Sequence, residues 1–357
     1  MGAKLWAAML GLTLGRWPGA KSKDRLMRDN PNHPDGPVGV AVIGLGVMGT
    51  RMLTQLSRHA GFTVRSVWDT DSSAIQAIAQ EHADVTMAES AEEAMATEGV
   101  RLVYVATPPH AHHPYARMAI DANLAVFCEK PLAVDLAQGR ELVDLSKLGS
   151  IPNAVNFPFA AMVPIDRIEA MIADGSLGEV LAVDVRLHFV PWPREWQSGA
   201  KWLADRADGG FLREVGSHFV FLIEKLFGPA AVVESRISYP ADSRLCETAF
   251  SARLNCSGLS VSFEGSAIGV GPDVVELTIW GSEQSVRLSD WSDVSVSSGS
   301  PWAPEPTEGT NLRADSNARF FDDLRALIDG SNSKLASFDD ALSVQRIVET
   351  IIDGPGS

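Results

Sequence analysis

Cysteine is scarce, with three in 357 residues. Cys128, Cys246 and Cys256 are too few and too scattered for a disulfide framework or a cysteine-built zinc site. All three read as core or strand residues of a protein kept in a reducing compartment. Basic charge is also short: 30 Lys and Arg against 45 Asp and Glu leave a net charge of −15. A nucleic-acid surface needs a clustered basic face, so no nucleic-acid partner is expected. The apolar run near the N-terminus, residues 5–15 (LWAAMLGLTLG), is too short to span a bilayer as a helix, and no membrane partner is expected. As a secretory leader it has a thin basic region and no small-x-small cleavage site behind it. Because RDNPNHPDGP is all turn formers, residues 1–36 are expected to be a poorly ordered extension. The expected location is cytoplasmic, with an exported form as the other reading of the run. No internal repeat or low-complexity segment is evident.

What is present describes a soluble globular protein: 45% hydrophobic and 21% charged residues. The length suggests two domains. The apolar run Val38 to Ile43 leads into Gly44, Gly46 and Gly49 and then a helical pattern, which is G-x-G-x-x-G between a strand and a helix. The first glycine permits a tight turn, the second lets backbone approach a pyrophosphate, and the third lets the helix pack close to the strand. Backbone N–H groups around Val47 and Met48 then face the phosphates, helped by the helix dipole. A second strand, FTVRSVWD, ends in Asp69, which suits the adenosine ribose hydroxyls. Asp71 follows and no arginine adjoins Asp69, so a 2′-phosphate would meet negative charge. NAD is therefore expected over NADP.

The strand Val100 to Ala106 ends in Thr107-Pro108-Pro109, a loop placed at the strand carboxyl ends where ligands collect. His110, His112 and His113 follow, but without a carboxylate or cysteine partner they make a poor metal set, and no metal is expected. The next strand, Ala125 to Cys128, delivers Glu129, Lys130 and Pro131 at its end. Either this is chemistry at a crevice or a strand reaching the surface.

The stretches GLGVMG and ATPPHAHHPYARMAIDANLAVFCEKPLA, with the spacing between them, resemble the Gfo/Idh/MocA oxidoreductases, relatives of glucose–fructose oxidoreductase and inositol dehydrogenase. The similarity extends from about Val38 to about Ile352. It implies a cis peptide before Pro131 that aims Lys130 at substrate and nicotinamide. It also implies cofactor contacts from Thr107, Pro108, His112, Glu129 and Lys130. The implied fold is an α/β Rossmann domain (37–152) followed by an α+β domain (153–357) with an open, largely antiparallel sheet and C-terminal helices.

After Asn153 the patterning changes accordingly. VLAVDVRLHFV alternates with period two, and AVVESRIS, TAFSARLNC, LSVSFEG, VVELTIWG and SVRLSD read as further strands. In DGGFLREVGSHFVFLIEKLFG, helical spacing puts Phe219, Leu222, Ile223 and Leu226 on one buried stripe and Glu214 with His218 on another face. That pair can be a solvated ion pair. In the family the matching pattern is G-G-G-x-L-x-D-x-G-x-H, whose acid and histidine face substrate. Here Asp208 replaces the first glycine and Glu214 the aspartate, while Gly216 and His218 match. AVNFPFAAM places Pro158 where the family has a polar residue. Trp192, Trp196 and Trp202 suit stacking on a sugar ring or burial in a core. Ser337 and Asp340 form a capping box at the start of the last helix.

The resemblance implies an NAD-dependent oxidoreductase that moves a hydride between nicotinamide and a hydroxyl or carbonyl carbon of a sugar, cyclitol or related polyol. Lys130, His218 and Glu214 are its catalytic candidates, and a homodimer or homotetramer through the sheet is expected. Two alternatives remain: an NAD-dependent glycosidase working by transient oxidation, and a dinucleotide-binding regulator without catalysis.

Overall fold

The structure is a computed structural model that describes residues 36–197, 199–207, 209–305 and 312–355, with backbone alone for 312–314. The proposed extension, apart from Gly36, and Asp208 lie outside the described residues. The chain divides into two compact units.

The first unit runs to Phe157 and takes in Asn317–Leu342. It alternates strand and helix: β1 (Val38–Ile43), α1 (Val47–Arg58), β2 (Phe62–Trp68), α2 (Ser72–Glu81), β3 (Thr86–Met87) and α3 (Ala91–Ala96). Then come β4 (Val100–Val105), α4 (His112–Asp121), β5 (Ala125–Cys128), α5 (Leu136–Gly149) and β6 (Asn153–Val155). All strand pairs are parallel, in the order β3-β2-β1-β4-β5-β6. β1 is apolar and buried at every position, as a strand covered on both faces must be. Asn123 ends α4 at φ +57°, the left-handed cap its residue type tolerates.

Sheet and boundary differ from the sequence expectation in two respects. β6 belongs to the parallel sheet, so the division falls at Phe157 and Pro158 rather than at 152 and 153. The C-terminal segment also returns to this unit. Val155 N–H donates to Ala336 O, the Phe338 N–H donates to Asn153 Oδ1, and Phe320 packs on Phe127. Arg325, buried, donates to the carbonyls of Gly36 and Gly61 beside β1. Burying one side chain such as Phe127 is worth about 1.5–3 kcal/mol.

The second unit holds α6 (Val163–Ala173), β7 (Val180–His188), a π turn (Leu212–Gly216), α7 (Ser217–Phe227), β8 (Ala230–Ser238), β9 (Ala249–Cys256), β10 (Leu259–Ser266) and β11 (Val274–Gly281). β12 (Ser285–Ser289), β13 (Asp293–Ser297) and β14 (Ala303–Pro304) follow. The sheet order is β14-β13-β12-β11-β7-β10-β9-β8. Its pairs are antiparallel except β10 with β7. β9 alternates exposed and buried positions, which is the period-two pattern read from TAFSARLNC. α7 is buried on every side from Ser217 to Ile223, so the expected single stripe is in fact a wholly enclosed helix start. Two more helices, α8 (Leu312–Ile328) and α9 (Phe338–Asp353), close the chain. Ser337 and Asp340 cap α9 reciprocally, Ser337 N–H to Asp340 Oδ2 and Asp340 N–H to Ser337 Oγ. No helix among the described residues is long and apolar enough to cross a membrane.

Candidate active site

In the first unit the glycine-rich turn follows β1 directly. Gly44 has φ +98°, and a Cβ there would lie 2.6 Å from the Ala106 carbonyl atoms. A Cβ on Gly49 would stand 1.9 Å from Gly44 O. These two glycines are needed for close packing of turn, helix and β4. A Cβ on Gly46 would meet nothing within 4 Å, so this glycine leaves room on the outer side of the turn instead. α1 begins there with no side-chain cap, and Val47 is exposed. The orphan N–H groups of a helix start are an anion site.

Asp69, at the end of β2, accepts from Leu45 N–H through Oδ2 at 2.5 Å and from Asp71 N–H through Oδ1 at 2.8 Å. Each carboxylate oxygen can accept a second bond, so ribose hydroxyls can be added without breaking the tie. At the end of β4, Thr107 Oγ1 is buried with no hydrogen-bond partner among the described residues. An open glycine, uncapped helix amides, a strand-end carboxylate and an orphaned hydroxyl together fit a dinucleotide.

The end of β5 resolves the question posed by Glu129 and Lys130. Glu129 is buried, and its Oε1 accepts from Tyr104 Oη at 2.5 Å and from Asn156 Nδ2 at 2.7 Å. Tyr104 lies in β4, stacked on Phe127 with ring centroids 4.9 Å apart. Burial, and then the Glu129 charge, push the Tyr104 pKa well above its ordinary value, so the phenol stays a donor. Lys130 is half-buried, and the Lys130–Pro131 peptide is cis. Thus one charge of the pair is turned inward on a structural network, and the other is only half-buried.

The three histidines separate. His110 is exposed and His113 meets Glu141 at 3.1 Å. His112, 1% exposed, sets Nδ1 at 2.6 Å from Pro131 O and Nε2 at 2.8 Å from Thr107 O. Both its nitrogens are committed to loop carbonyls. Burial draws its pKa below the ordinary histidine value, against the pull of the two carbonyls. No group of three or more metal-ligating side chains is found among the described residues.

In the second unit, Glu214 lies in the π turn, where Ser217 N–H reaches back to Leu212 O. His218 follows Glu214 by four residues, across the junction between this turn and α7. His218 lies in the first turn of α7, 7% exposed, in edge-to-face arrangements with Phe159 and Trp291 whose ring centroids are each 6.4 Å away. Pro158 starts a short 3₁₀ turn, Pro158–Ala160, that seats Phe159 there. Glu247, buried, accepts from Leu212 N–H at 2.8 Å and so fixes the entry to the turn.

Trp192 and Trp196 do not form a bare sugar platform. Together with Phe189 they surround the Arg194 guanidinium at 5.5, 5.1 and 5.1 Å. Arg194 Nε donates to Gln197 Oε1 at 3.0 Å, and Gln197 Nε2 donates to Glu214 Oε1 at 3.3 Å. Burial brings the Arg194 pKa down to about 10, opposed by Glu214 and Asp273, so the cation persists at neutral pH.

Sequence reasoning missed Tyr104, Asn156, Arg194, Gln197 and Glu247. Tyr104 left one signal, a lone hydroxyl in the apolar strand VRLVYV. Arg194 left another, a cation set among three aromatics.

Residues 38–152 match an oxidoreductase family with an NAD-binding Rossmann fold, and residues 165–287 match the GFO/IDH/MocA C-terminal domain. An inositol 2-dehydrogenase/D-chiro-inositol 3-dehydrogenase of Lactiplantibacillus plantarum is 29% identical over 162 residues, 44% of this chain and 46% of that protein. A glucose-6-phosphate 3-dehydrogenase of Bacillus subtilis is 23% identical over 199 residues, 55% of each. The chain spans about half the length of these curated relatives. An Agrobacterium radiobacter oxidoreductase solved with NAD+, L-tartaric acid and magnesium has a TM-score of 0.76 at 19% identity, covering 88% of this chain and 95% of that one. With a parallel nucleotide-binding sheet, a largely antiparallel second sheet and both family matches, this chain belongs to the Gfo/Idh/MocA family of NAD-binding oxidoreductases.

Proposed function

We propose that the protein is an NAD-dependent dehydrogenase or reductase acting on a CH–OH or carbonyl carbon of a sugar, cyclitol or related polyol. The observation that carries the reading is the glycine turn, open at Gly46 and tied to Asp69 through Leu45 N–H. The inositol and sugar-phosphate dehydrogenases among its relatives support the substrate class.

Gly44, Gly46, Val47, Met48 and Gly49 would hold the pyrophosphate, Asp69 the adenosine ribose, and Thr107 with Pro108 the nicotinamide side. When bound, NAD supplies the hydride acceptor, and NADH the donor. Lys130 would stabilise charge developing on the substrate oxygen. Glu129, accepting from both Tyr104 and Asn156, fixes the backbone that presents this lysine. His218 would move the hydroxyl proton, since imidazole suits acid–base work near neutrality. Glu214, receiving the Gln197 amide, would accept a substrate hydroxyl. The three free, buried cysteines agree with a reducing, cytoplasmic setting. The exposed positions that alternate along β9 leave one face of the sheet open, which supports a homodimer or homotetramer.

The test is NADH formation at 340 nm with NAD, and NADPH formation with NADP, against sugars, inositols and sugar acids. At least one polyol should reduce NAD, and Lys130→Met should lower kcat by about 10²-fold or more with NADH binding retained. Full turnover by Lys130→Met would end the lysine's assignment. Failure of the wild-type protein to bind NADH would end the cofactor reading.

A further inference from the structure

Carbonyl oxygens only accept hydrogen bonds, and His112 faces one on each side. Pro131 O belongs to the loop that carries Lys130, and Thr107 O to the loop that carries the orphaned Thr107 hydroxyl. A neutral imidazole has a single N–H. It can hold one of these loops, and its bare nitrogen then points a lone pair at the other carbonyl at 2.6 or 2.8 Å. An imidazolium donates to both. With two acceptor-only partners, no neutral tautomer satisfies both contacts.

We propose that His112 is a positioning residue that joins the Thr107 and Lys130 loops by donating from both ring nitrogens, so that its protonation tightens the nicotinamide side of the cofactor site. The inference deepens the proposed function and rests on it for the identity of the ligand. His112 touches no reacting group, since both nitrogens are occupied by backbone and the ring is 1% exposed.

The groups facing the ring electrostatically are Lys130, from the loop after β5, and His110, from the turn before α4, and both oppose a second positive charge. Burial opposes it more strongly, while the two carbonyls favour it. The balance places the folded value below that of a free histidine. The double latch is therefore complete on the acid side and gives up one bond as pH rises through that lowered value. Neutral ring and cation differ by one charge-assisted hydrogen bond between the loops.

Two measurements on the full chain test this. In protein carrying ¹⁵N-histidine, both ring nitrogens of His112 should show a bonded proton at acid pH, and one of them should lose it on raising the pH. The NADH dissociation constant, followed by nucleotide fluorescence, should rise about tenfold across the same pH interval in the wild type, as expected for loss of one charge-assisted hydrogen bond. His112→Gln should bind NADH more weakly and without that pH step, whereas His110→Gln should keep it. If His112→Gln does not fold, the wild-type spectrum and the His110→Gln titration still decide. A single ring proton on His112 throughout the range where the protein is folded overturns the inference. So does an NADH step that survives in His112→Gln. Absence of NADH binding in the wild type at every pH overturns the cofactor reading itself, an outcome distinct from both.

Discussion

Replacing Tyr104 by Phe removes one oxygen from the centre of the first unit and little else. The ring stays 0% exposed and can keep its stacking on Phe127. What is lost is the 2.5 Å bond to Glu129 Oε1, an oxygen that would retain the Asn156 amide as donor. A hydrogen bond to a charged group contributes about 1.5–3 kcal/mol, so Tyr104→Phe should lose about 2 kcal/mol at pH 7. In urea this lowers the midpoint by about 1 M at unchanged m. The pH dependence sharpens the test. Burial and Glu129 raise the Tyr104 pKa above the unfolded value of about 10. A raised folded value contributes stability that is complete below the unfolded pKa and is lost as pH climbs above it. The gap between wild type and Tyr104→Phe should therefore narrow above about pH 10. Because Tyr104 and Asn156 donate to the same oxygen, Asn156→Ala should couple to Tyr104→Phe by about 0.5–3 kcal/mol in a double-mutant cycle. A Tyr104→Phe protein within about 0.5 kcal/mol of wild type at pH 7, the size expected of a change away from any special feature, would refute the network as drawn.

Gly49→Ala forces a methyl to within 1.9 Å of Gly44 O, so the helix must back away from the turn. It should cost about 1–3 kcal/mol, the usual penalty of overpacking, and weaken NADH binding in fluorescence titrations. Asp69→Ala removes the acceptor of Leu45 N–H together with the charge that disfavours a 2′-phosphate. The ratio of NADPH to NADH dissociation constants should fall toward one, and an unchanged ratio would show that Asp69 does not select the nucleotide. Glu247→Ala orphans the buried Leu212 N–H and should cost about 1–3 kcal/mol in urea unfolding, whereas Glu247→Gln keeps a carbonyl acceptor and should cost less. Burial raises the Glu247 pKa in the folded protein. Its favourable share is thus present at low pH and lost as pH rises through the raised value, so Glu247→Gln should gain on wild type in that direction.

Backbone-determined features were legible from residue order. The continuous apolar run of β1, the glycines at 44, 46 and 49, and Asp69 at the end of β2 each follow from a requirement that no distant residue can relax. Left-handed Asn123 and the Ser337–Asp340 cap are local in the same sense. The period-two strands were legible because one face of the second sheet is covered and the other is not. Helix α7 misled because a stripe and a wholly buried helix share the same apolar positions, and what surrounds Ser217 and His218 comes from Phe159 and Trp291. The π turn at Glu214 was invisible to an argument from α-helical spacing. Strand β6 and the return of residues 317–342 to the first unit depend on Val155 meeting Ala336, and Asn153 meeting Phe338, across a long separation.

The side chains around the strand ends show where sequence reading stops. Glu129-Lys130-Pro131 reads as one functional triplet, an acid and a base delivered together. In the folded chain the two charges differ in burial, Glu129 being buried and Lys130 half-buried. Glu129 goes inward, where Tyr104 and Asn156, 25 residues before it and 27 after it, bring donors to a single oxygen. An unpaired buried carboxylate would otherwise be neutralised by protonation. The inward acid thereby anchors the strand end beside the half-buried Lys130. His112 does for the two loops what Tyr104 and Asn156 do for the strand. Its ring nitrogens lie against Pro131 O and Thr107 O, one from each loop. A motif thus names the residues that reach the chemistry, while the groups that aim them come from positions with no motif of their own.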